Sequence, residues 1–469
     1  MRRFFVAILL AQITAVGGQS PVASNLVQQL AEDINRIEVK GVSGKRFSGE
    51  AFRVSQVPKS FQNLKRSDLK DLRSAEKRKH CPRWIVVTSI FQPSDAVRKL
   101  GEMTKKGWCF VVVADVNGPT DYDDVEGVVY LTPQHQKRLH YHIVDYIPWR
   151  HFGRKNIGFL YAIEHGAEVI YDTDDDNRIK ELEIPIWLPE RNETLEGGPY
   201  VPLKMYSVDQ KWNRNVVNSY LDFEPTCGER IWPRGFPLDN INDAKDQHPQ
   251  LTEMEGAKKP PAIQQFLADE DPDVDAIFRL TGQLPCRFAE KRHAVVLPKG
   301  QLTPYNAQCV VNLKSAFWAL LLPVTVNGRV SDIWRSYIAQ KLLWDIDEHV
   351  AFMPAHVIHD RVFHDYLKDF QSELDLYLKG GALVKFLVGW RSDAPTLVER
   401  IEQLWTELYE RGFVEEGDLR LAQAWIRDLL ALGYRFPELK IPKILSARSA
   451  GVGEASRGGV EMGSGGGEL

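Results

Sequence analysis

The stretch RKNIGFLYAIEHGAEVIYDTDDDN, residues 154–177, contains the pattern that decides the fold. Its first part has helical periodicity as far as His165, and Gly166 stands where a helix would end. The short apolar run 167–171 then predicts a buried strand, which ends in an acidic turn. A basic helix start, a helix, a buried strand and an acidic strand end together indicate one unit of an α/β sheet.

Two further strand signals lie upstream of this unit. The run 83–90 is apolar and is followed by a turn, and the run 108–114 ends at Asp115. Strand 127–131 and a helix rich in Gln and His come next. Strands that alternate with helices predict a doubly wound, mostly parallel sheet, in which ligands bind beyond the carboxyl ends of the strands. Because acids follow two of these ends, we expect the chemistry at one edge of the sheet.

The second half of the chain is predominantly helical. We predict helices at 331–346 and 365–378 and two more between 397 and 432. The tail from residue 446 is rich in Gly, Ser and Ala, a composition typical of disorder. The predicted organisation is a leader, a stem, an α/β domain with the candidate site, a helical C-terminal region and a disordered tail, at 1–20, 21–80, 81–350, 351–440 and 441–469.

The N-terminus has the pattern of a secretory signal. Arg2 and Arg3 precede the apolar run 4–16, which small residues follow. This run is shorter than the roughly 20 residues that span a bilayer, so a cleaved signal peptide is predicted, with a short type II signal anchor as the alternative. Either outcome places the bulk of the chain in the lumen of the secretory pathway. The sequon at Asn192 is compatible with glycosylation there.

Charge and cysteine content exclude two classes of protein. The chain has 59 basic and 63 acidic residues, a formal net charge of −4, and so lacks the basic excess of a nucleic-acid-binding protein. Its five cysteines have no C-x-x-C spacing, which excludes a zinc-ribbon pattern. In an oxidising compartment we expect one or two disulfides, with one thiol left over.

The acidic turn is the strongest chemical signal. Three consecutive aspartates, Asp174 to Asp176, repel one another at a strand end, and a bound cation would relieve that repulsion. A hard ion such as Mg²⁺ or Mn²⁺ takes carboxylate oxygens and commonly joins them to substrate phosphates. The alternative is an acidic turn that faces solvent and binds nothing.

The start of the helix at residue 154 is the second signal. Arg154 and Lys155 are positive, and the free backbone N–H groups of a helix start suit an anionic phosphate. The alternative is an ordinary surface helix with exposed charges.

Together, these features resemble the nucleotide-sugar core of type A glycosyltransferases, and more closely the STELLO family of Golgi glycosyltransferases associated with cellulose synthase. The matching segments are RWIVVTSIFQPS (83–94), GWCFVVVAD (107–115), RKNIGFLYAIEHGAEVIYDTDDDN (154–177), IWPRGFPLDNI (231–241), DPDVDAIFRLT (271–281), SAFWALLLPVTVNGRVSDIWRSYIAQKLLWDI (315–346) and LVKFLVGWRS (383–392). They extend over most of the chain.

The resemblance implies a type A glycosyltransferase-like fold (that of nucleotide-diphospho-sugar transferases), in which 81–350 is the catalytic domain. It implies that Asp174 and Asp176 hold Mn²⁺ or Mg²⁺. Such folds often add a late histidine to the metal, and His359 is our choice over the nearby His356 and His364. The remaining residues implied for the donor are Asp115, facing the nucleoside, with Arg154, Lys155 and Asn156 lining the donor.

An inverting transferase needs a carboxylate base for the acceptor, whereas a retaining enzyme does not. Asp271, in the acidic loop 269–275, is the first candidate, and the alternative is a solvated turn around Pro272. Asp332 is the second candidate. It follows Ser331 at a predicted helix start, where the helix dipole alone favours an acid.

The function implied is metal-dependent transfer of a sugar from a nucleotide-sugar donor, a UDP-sugar, to a glycan or glycoprotein acceptor in the Golgi. One alternative is a non-catalytic Golgi scaffold or assembly factor for membrane polysaccharide synthases of the cellulose type. Another is a nucleotide-sugar or glycan-binding module without transfer. The intact acidic turn favours the enzyme.

Overall fold

The computed structural model describes residues 80–188, 202–207, 214–243, 249–254, 259–290, 293–361 and 365–440. The predicted leader, nearly all of the stem, the tail, Asn192 and His364 therefore lie outside the described residues. Within the described residues, no helix combines the length and the apolar character needed to cross a membrane.

The described strands form one eleven-stranded sheet. In chain order they are β1 (Arg83–Ser89), β2 (Cys109–Ala114), β3 (Val128–Leu131), β4 (Val169–Asp172), β5 (Asn177–Ile179), β6 (Leu203–Tyr206), β7 (Leu251–Glu253), β8 (Ile263–Asp269), β9 (Ala294–Val296), β10 (Val310–Leu313) and β11 (Val350–His359). Their order in the sheet is β3-β2-β1-β4-β10-β8-β11-β9-β6-β7, and β5 pairs with β11 outside this path.

Helices cover this sheet. In chain order the described α-helices are α1 (Asp95–Glu102), α2 (Pro133–Arg138), α3 (Lys155–Glu164), α4 (Ala276–Thr281), α5 (Gly328–Leu343), α6 (Tyr366–Ser372), α7 (Leu374–Gly389), α8 (Leu397–Glu410) and α9 (Glu416–Ala431). The predicted α/β class is confirmed, and so are the strands and helices of the stretch that decides it.

Strand direction brings six carboxyl ends to one edge of the sheet. Strands β3, β2, β1 and β4 pair in parallel. Strand β10 is antiparallel to both β4 and β8, so β8 runs in the same direction as β4, and β11 is parallel to β8. The ends of β3, β2, β1, β4, β8 and β11 therefore lie along the same edge, which we call the carboxyl edge. The other antiparallel pairs are β5 with β11, β9 with β11 and β6 with β7.

Helix α3 lies directly on β1 and β2 because Gly158 lacks a side chain. A Cβ atom built at Gly158 would lie 2.7 Å from side-chain atoms of both Val86 and Val113. These distances are too short for a real Cβ atom, so only glycine allows this close packing. The packing fixes the first residues of α3 against the carboxyl edge.

The C-terminal helices share the core of the sheet. The indole of Trp425 in α9 donates to the carbonyl of Trp318 at 3.0 Å, and that of Trp334 in α5 donates to the carbonyl of Phe413 at 3.1 Å. Strand β11 begins at Val350, so the sheet extends past the boundary predicted at that residue. The predicted helix 365–378 is two helices, α6 and α7, and α5 begins at Gly328, earlier than predicted.

Two disulfides form, as the cysteine count allowed. Cys81 pairs with Cys109 and joins the starts of β1 and β2, while Cys227 pairs with Cys286. Cys309 is a free, buried thiol. The expectation of one or two disulfides with one thiol left over is confirmed for the described residues, which contain all five cysteines.

Glu402 belongs to α8 and contacts Gln423 of α9. Its burial leads us to predict that the stability of the fold depends on pH. The residue is 2% exposed, and one carboxylate oxygen accepts a hydrogen bond of 3.0 Å from the amide of Gln423. Burial, and then repulsion from Glu399, raises its pKa to about 7 although Gln423 lowers it. An acid whose pKa is raised by folding destabilises the folded state once it ionises. Stability is therefore highest below the unfolded pKa and falls as the pH rises to about 7.

Glu402→Gln is expected to remove this pH dependence. Glutamine keeps the acceptor for Gln423 and cannot ionise, so the variant should be about 2–3 kcal/mol more stable than the parent at pH 8, and nearly equal at pH 4.5. Urea unfolding at both pH values measures this. Glu410→Gln, exposed on the same helix, is the matched control. A Glu402→Gln variant no more stable than the parent at pH 8 would contradict the prediction.

Candidate functional site

The acidic turn 173–176 joins the end of β4 to both neighbouring parts of the carboxyl edge. On one side, the carboxylate of Asp175 accepts a hydrogen bond from Ser89 at the end of β1. On the other, the backbone N–H of Asp360, just after β11, donates to the carbonyl of Asp176 at 3.0 Å. The turn is thus held at both sides, and its carboxylates are fixed in place.

Lys155, the first residue of α3, forms ion pairs with the end of β4 and with the acidic turn. Its side chain is fully buried, and Nζ lies 2.7 Å from carboxylate oxygens of both Asp172 and Asp174. Nζ also donates to the carbonyl of Ala307 at 2.9 Å. Burial alone lowers the pKa of Lys155, but the two carboxylates outweigh it and raise the pKa. Lys155 is therefore a fixed positive charge at the base of the acidic turn.

The pKa of Asp174 is far above the usual value for an aspartate. Burial, and then repulsion from Asp176 and Asp172, raises its pKa to about 7 although Lys155 lowers it. Its side chain is still 24% exposed, so it reaches the surface of the carboxyl edge. At neutral pH this carboxylate is only partly ionised, and an added positive charge beside it would favour the ionised form.

Asp176 and His359 face each other across the edge. The Asp176 carboxylate lies 3.1 Å from Nε2 of His359, at the end of β11. Burial would raise the pKa of Asp176, but the hydrogen bond and charge of His359, a backbone hydrogen bond and Arg361 together outweigh burial and lower it. Burial would lower the pKa of His359, but Asp176 and Asp271 together outweigh burial and raise it. The structure thus brings together two residues that are 183 positions apart.

The other ring nitrogen of His359, Nδ1, contacts the acidic loop 269–275. Nδ1 lies 2.7 Å from the carbonyl oxygen of Asp271, and since a carbonyl can only accept, Nδ1 carries the proton. The side chain of Asp271 is 18% exposed and pairs with Arg279. Asp271 therefore lies beside His359, with its carboxylate held by an arginine.

All three residues predicted to line the donor are fully buried and contact the protein itself, Arg154 and Asn156 as well as Lys155. The guanidinium of Arg154 donates to Gln136 and to the carbonyl of Ile147, and burial lowers its pKa to about 10. The amide of Asn156 exchanges two hydrogen bonds of 2.9 Å with the backbone of Leu322. Both side chains fix loops beside the carboxyl edge.

Asp115 lies where the sequence placed it, directly after β2. One carboxylate oxygen accepts from the N–H of Val116 at 2.6 Å and the other from the N–H of His151 at 3.1 Å. The side chain is 4% exposed as a residue. Asp115 thereby ties the loop before α3 to the end of β2.

Asp332 lies in a buried ion cluster. Arg234 contacts Asp332 at 2.7 Å and Asp273 at 2.8 Å. Helix α5 is capped by Asn327 and begins at Gly328, so Asp332 lies past its first turn and the helix-start interpretation does not apply.

Three charged residues were missed by the sequence reasoning. Asp172 is the last residue of β4, and its carboxylate lies between Lys155 and Arg335, 2.8 Å from the latter. Its position one residue before the turn could have pointed to it. Arg335 and Arg234 carry no comparable sequence signal, because their carboxylate partners are 39 to 163 positions away. Together with their partners Lys155, Asp273 and Asp332, these residues form a buried network of ion pairs with equal numbers of positive and negative charges, which we call the floor of the site.

The comparisons with known proteins agree with the resemblance in the sequence. A family model described as STELLO glycosyltransferases matches residues 329–460. "Probable glycosyltransferase STELLO1" of Arabidopsis thaliana is 34% identical over 396 residues, 80% of this chain and 48% of that protein. "Probable glycosyltransferase STELLO2" of the same plant is 35% identical over 370 residues, 76% of this chain and 46% of that protein. The chain spans about half the length of these curated relatives.

Proposed function

This chain belongs to the STELLO family of glycosyltransferases, and on that premise we propose that it transfers a sugar from a UDP-sugar to a glycan or glycoprotein acceptor with the help of Mn²⁺ or Mg²⁺. The observation that carries the proposal is the acidic turn with Asp174 and Asp176 at the carboxyl edge, with His359 3.1 Å from Asp176. Ligands of α/β sheets bind at this edge.

The donor atoms at the turn fit a hard divalent ion only in part. Among the described residues, no group of three or more His, Cys, Asp or Glu side chains could hold a metal ion by itself. Carboxylate oxygens and an imidazole nitrogen nevertheless suit Mn²⁺, and ions of this kind are often bound by one or two carboxylates plus substrate phosphates. Asp174, Asp176 and His359 would hold the ion, and diphosphate oxygens and water would complete its ligands.

When bound, the ion would supply positive charge to the leaving diphosphate. The residues of the chain prepare that site. Lys155 orients Asp174 through its ion pair, and the carbonyl of Asp271 sets the proton of His359 on Nδ1, so that Nε2 faces the turn. Arg154 and Asn156 position the loops around the donor, and Asp115 holds the loop where the nucleoside would lie.

For an inverting reaction, Asp271 is the better candidate for the base. It lies next to His359 and is partly exposed, whereas Asp332 is buried and neutralises Arg234. Protonation of Asp332 would leave that arginine with one fewer partner. Asp271 also has an arginine partner, Arg279, so taking a proton would require that contact to loosen. A retaining reaction would not need this step.

The proposed location is the Golgi lumen. The two disulfides of the described residues suit an oxidising compartment, and the apolar run after Arg2 and Arg3 suits entry into the secretory pathway. Any partnership with membrane polysaccharide synthases belongs to the alternative scaffold function.

A donor-hydrolysis screen tests the proposed activity. Many transferases hydrolyse their donor slowly when no acceptor is present, so we expect release of UDP from one UDP-sugar in Mn²⁺ and none in EDTA. The screen covers UDP- and GDP-sugars and measures the free nucleoside diphosphate. Release that is equal in EDTA would contradict metal dependence. The absence of release from every sugar nucleotide, with glycan acceptors added, would favour the scaffold.

A further inference from the structure

The turn that carries Asp271 has a backbone conformation that needs support. Glu270, between Asp269 and Asp271, has a φ angle of 71°, in the left-handed region that residues other than glycine rarely adopt. Such a conformation costs on the order of 1 kcal/mol and persists only where neighbouring contacts hold it. The contacts that hold Glu270 therefore decide where the carbonyl of Asp271 points.

The segment 286–288 provides these contacts. The N–H of Glu270 donates to the carbonyl of Cys286 at 2.8 Å, and the N–H of Cys286 donates back to the carbonyl of Glu270 at 2.9 Å. The N–H of Phe288 donates to the carboxylate of Asp269, also at 2.9 Å. Both residues before Asp271 are thus anchored to one short segment.

A disulfide fixes that segment to a third one. Cys286 is bonded to Cys227, and the backbone of Arg287 exchanges two hydrogen bonds of 2.9 Å with Thr226. Cys286 is fully buried. The chain of contacts runs from the disulfide through Glu270 to the carbonyl of Asp271, and from there to Nδ1 of His359 at 2.7 Å.

We propose that the Cys227–Cys286 disulfide is a positioning element for His359, which keeps Nε2 of the imidazole directed at the acidic turn. This proposal rests on the proposed function, because His359 matters there as a ligand of the ion. Groups that hold the second nitrogen of a metal-binding histidine fix its tautomer and ring orientation, and their loss typically lowers metal affinity about 10- to 100-fold. The disulfide acts one contact further away, so we expect a loss of about tenfold.

The other disulfide gives a matched control. Cys81–Cys109 also joins two segments of the sheet, but it lies at the starts of β1 and β2, at the edge opposite the acidic turn. A purely structural role for disulfides predicts similar effects of removing either one. A positioning role predicts that only removal of Cys227–Cys286 affects the site.

Two measurements on the full chain test the proposal. The first is the affinity for UDP in Mn²⁺ of the parent, C227A/C286A and C81A/C109A. The second is the water exchange of the His359 Nδ1 proton, measured by NMR without metal or nucleotide after histidine-selective ¹⁵N labelling and assigned with His359→Asn. In C227A/C286A we expect about tenfold weaker binding and clearly faster exchange, and in C81A/C109A neither change. Thr226→Ala, which weakens the same segment from the surface, should shift both in the same direction even if C227A/C286A does not fold.

Equal effects of the two double variants on both measurements would overturn the proposal, and so would an unchanged exchange rate in C227A/C286A and Thr226→Ala. If the parent binds no UDP in Mn²⁺, the proposed function fails, and the exchange rate of the His359 proton still decides whether the disulfide positions this side chain.

Discussion

Arg234→Met is expected to lower the free energy of unfolding by about 3–5 kcal/mol at neutral pH. Arg234 is 5% exposed, and its guanidinium pairs with two buried carboxylates, those of Asp273 and Asp332. Methionine fills a similar space without the charge. It leaves both carboxylates buried, with Asn306 as a neutral partner of Asp273 at 2.9 Å. Urea unfolding of parent and variant measures the loss.

The pH dependence of this loss has a definite sign. Burial would raise the pKa of Asp273, but Arg234 outweighs burial and lowers it to about 2. An acid with a lowered pKa contributes stability above its unfolded pKa and loses that stability as the pH falls toward the folded value. Without Arg234, Asp273 should take up a proton far more readily. The difference between parent and variant should therefore be largest at pH 7 and should shrink toward pH 4.

Arg178→Met is the matched control. Arg178 also makes two contacts with a carboxylate, that of Asp360, at 2.6 and 3.0 Å, but its side chain is 34% exposed. Exposed ion pairs contribute about 0–1 kcal/mol. Equal losses for Arg234→Met and Arg178→Met would show that the buried cluster does not support the floor of the site.

Asp174→Asn combined with Asp176→Asn is expected to weaken UDP binding in Mn²⁺ by about 100-fold or more and to abolish transfer. The two carboxylates are the proposed ligands of the ion, and loss of groups that merely support a ligand already costs about 10- to 100-fold. Isothermal titration of UDP into parent and variant, each with Mn²⁺, measures the change.

The double variant should nevertheless remain folded. Asp174 has its pKa raised to about 7, mainly by burial, so its neutralisation removes an unfavourable charge above that pH. Asp176 loses its partly exposed pair with His359, which costs about 0–1 kcal/mol. The relief at Asp174 outweighs this cost, so we expect the double variant to be at least as stable as the parent above neutral pH.

Asp360→Asn is the control for this variant. Asp360 immediately follows His359 but pairs with Arg178 at the surface, so its loss should leave UDP binding unchanged. A double variant that binds UDP as well as Asp360→Asn does would show that the acidic turn holds no ion.

The sequence was most informative where local patterns decide the structure. The apolar runs of β1, β2 and β4 and the periodicity of α3 predicted both the elements and their alternation, because each pattern is contained within a few residues. Parallel pairing then placed the acidic turn at the edge of the sheet. The proximity of Asp176 and His359 was implied only by the resemblance to a family, since nothing local links residues so far apart.

The burial and the pairing of charged side chains could not be predicted in the same way. The sequence makes Arg154 and Lys155 a basic helix start that faces an anionic ligand. Both side chains are buried in the structure, and Lys155 pairs with Asp172. The burial depends on the close approach of α3 to β1 at Gly158, a tertiary contact that helical periodicity does not reveal. The surroundings of Asp332 were not predicted either, because its partner Arg234 comes from a distant irregular segment.

The most direct test of the account is the binding of UDP to the parent protein, titrated calorimetrically with Mn²⁺ and again with EDTA. The account predicts one UDP per chain in Mn²⁺ and at least about 100-fold weaker binding in EDTA, because the ion joins the acidic turn to the diphosphate. Equal binding in Mn²⁺ and in EDTA, or no binding in either, would contradict the assignment of Asp174, Asp176 and His359 as a metal and donor site.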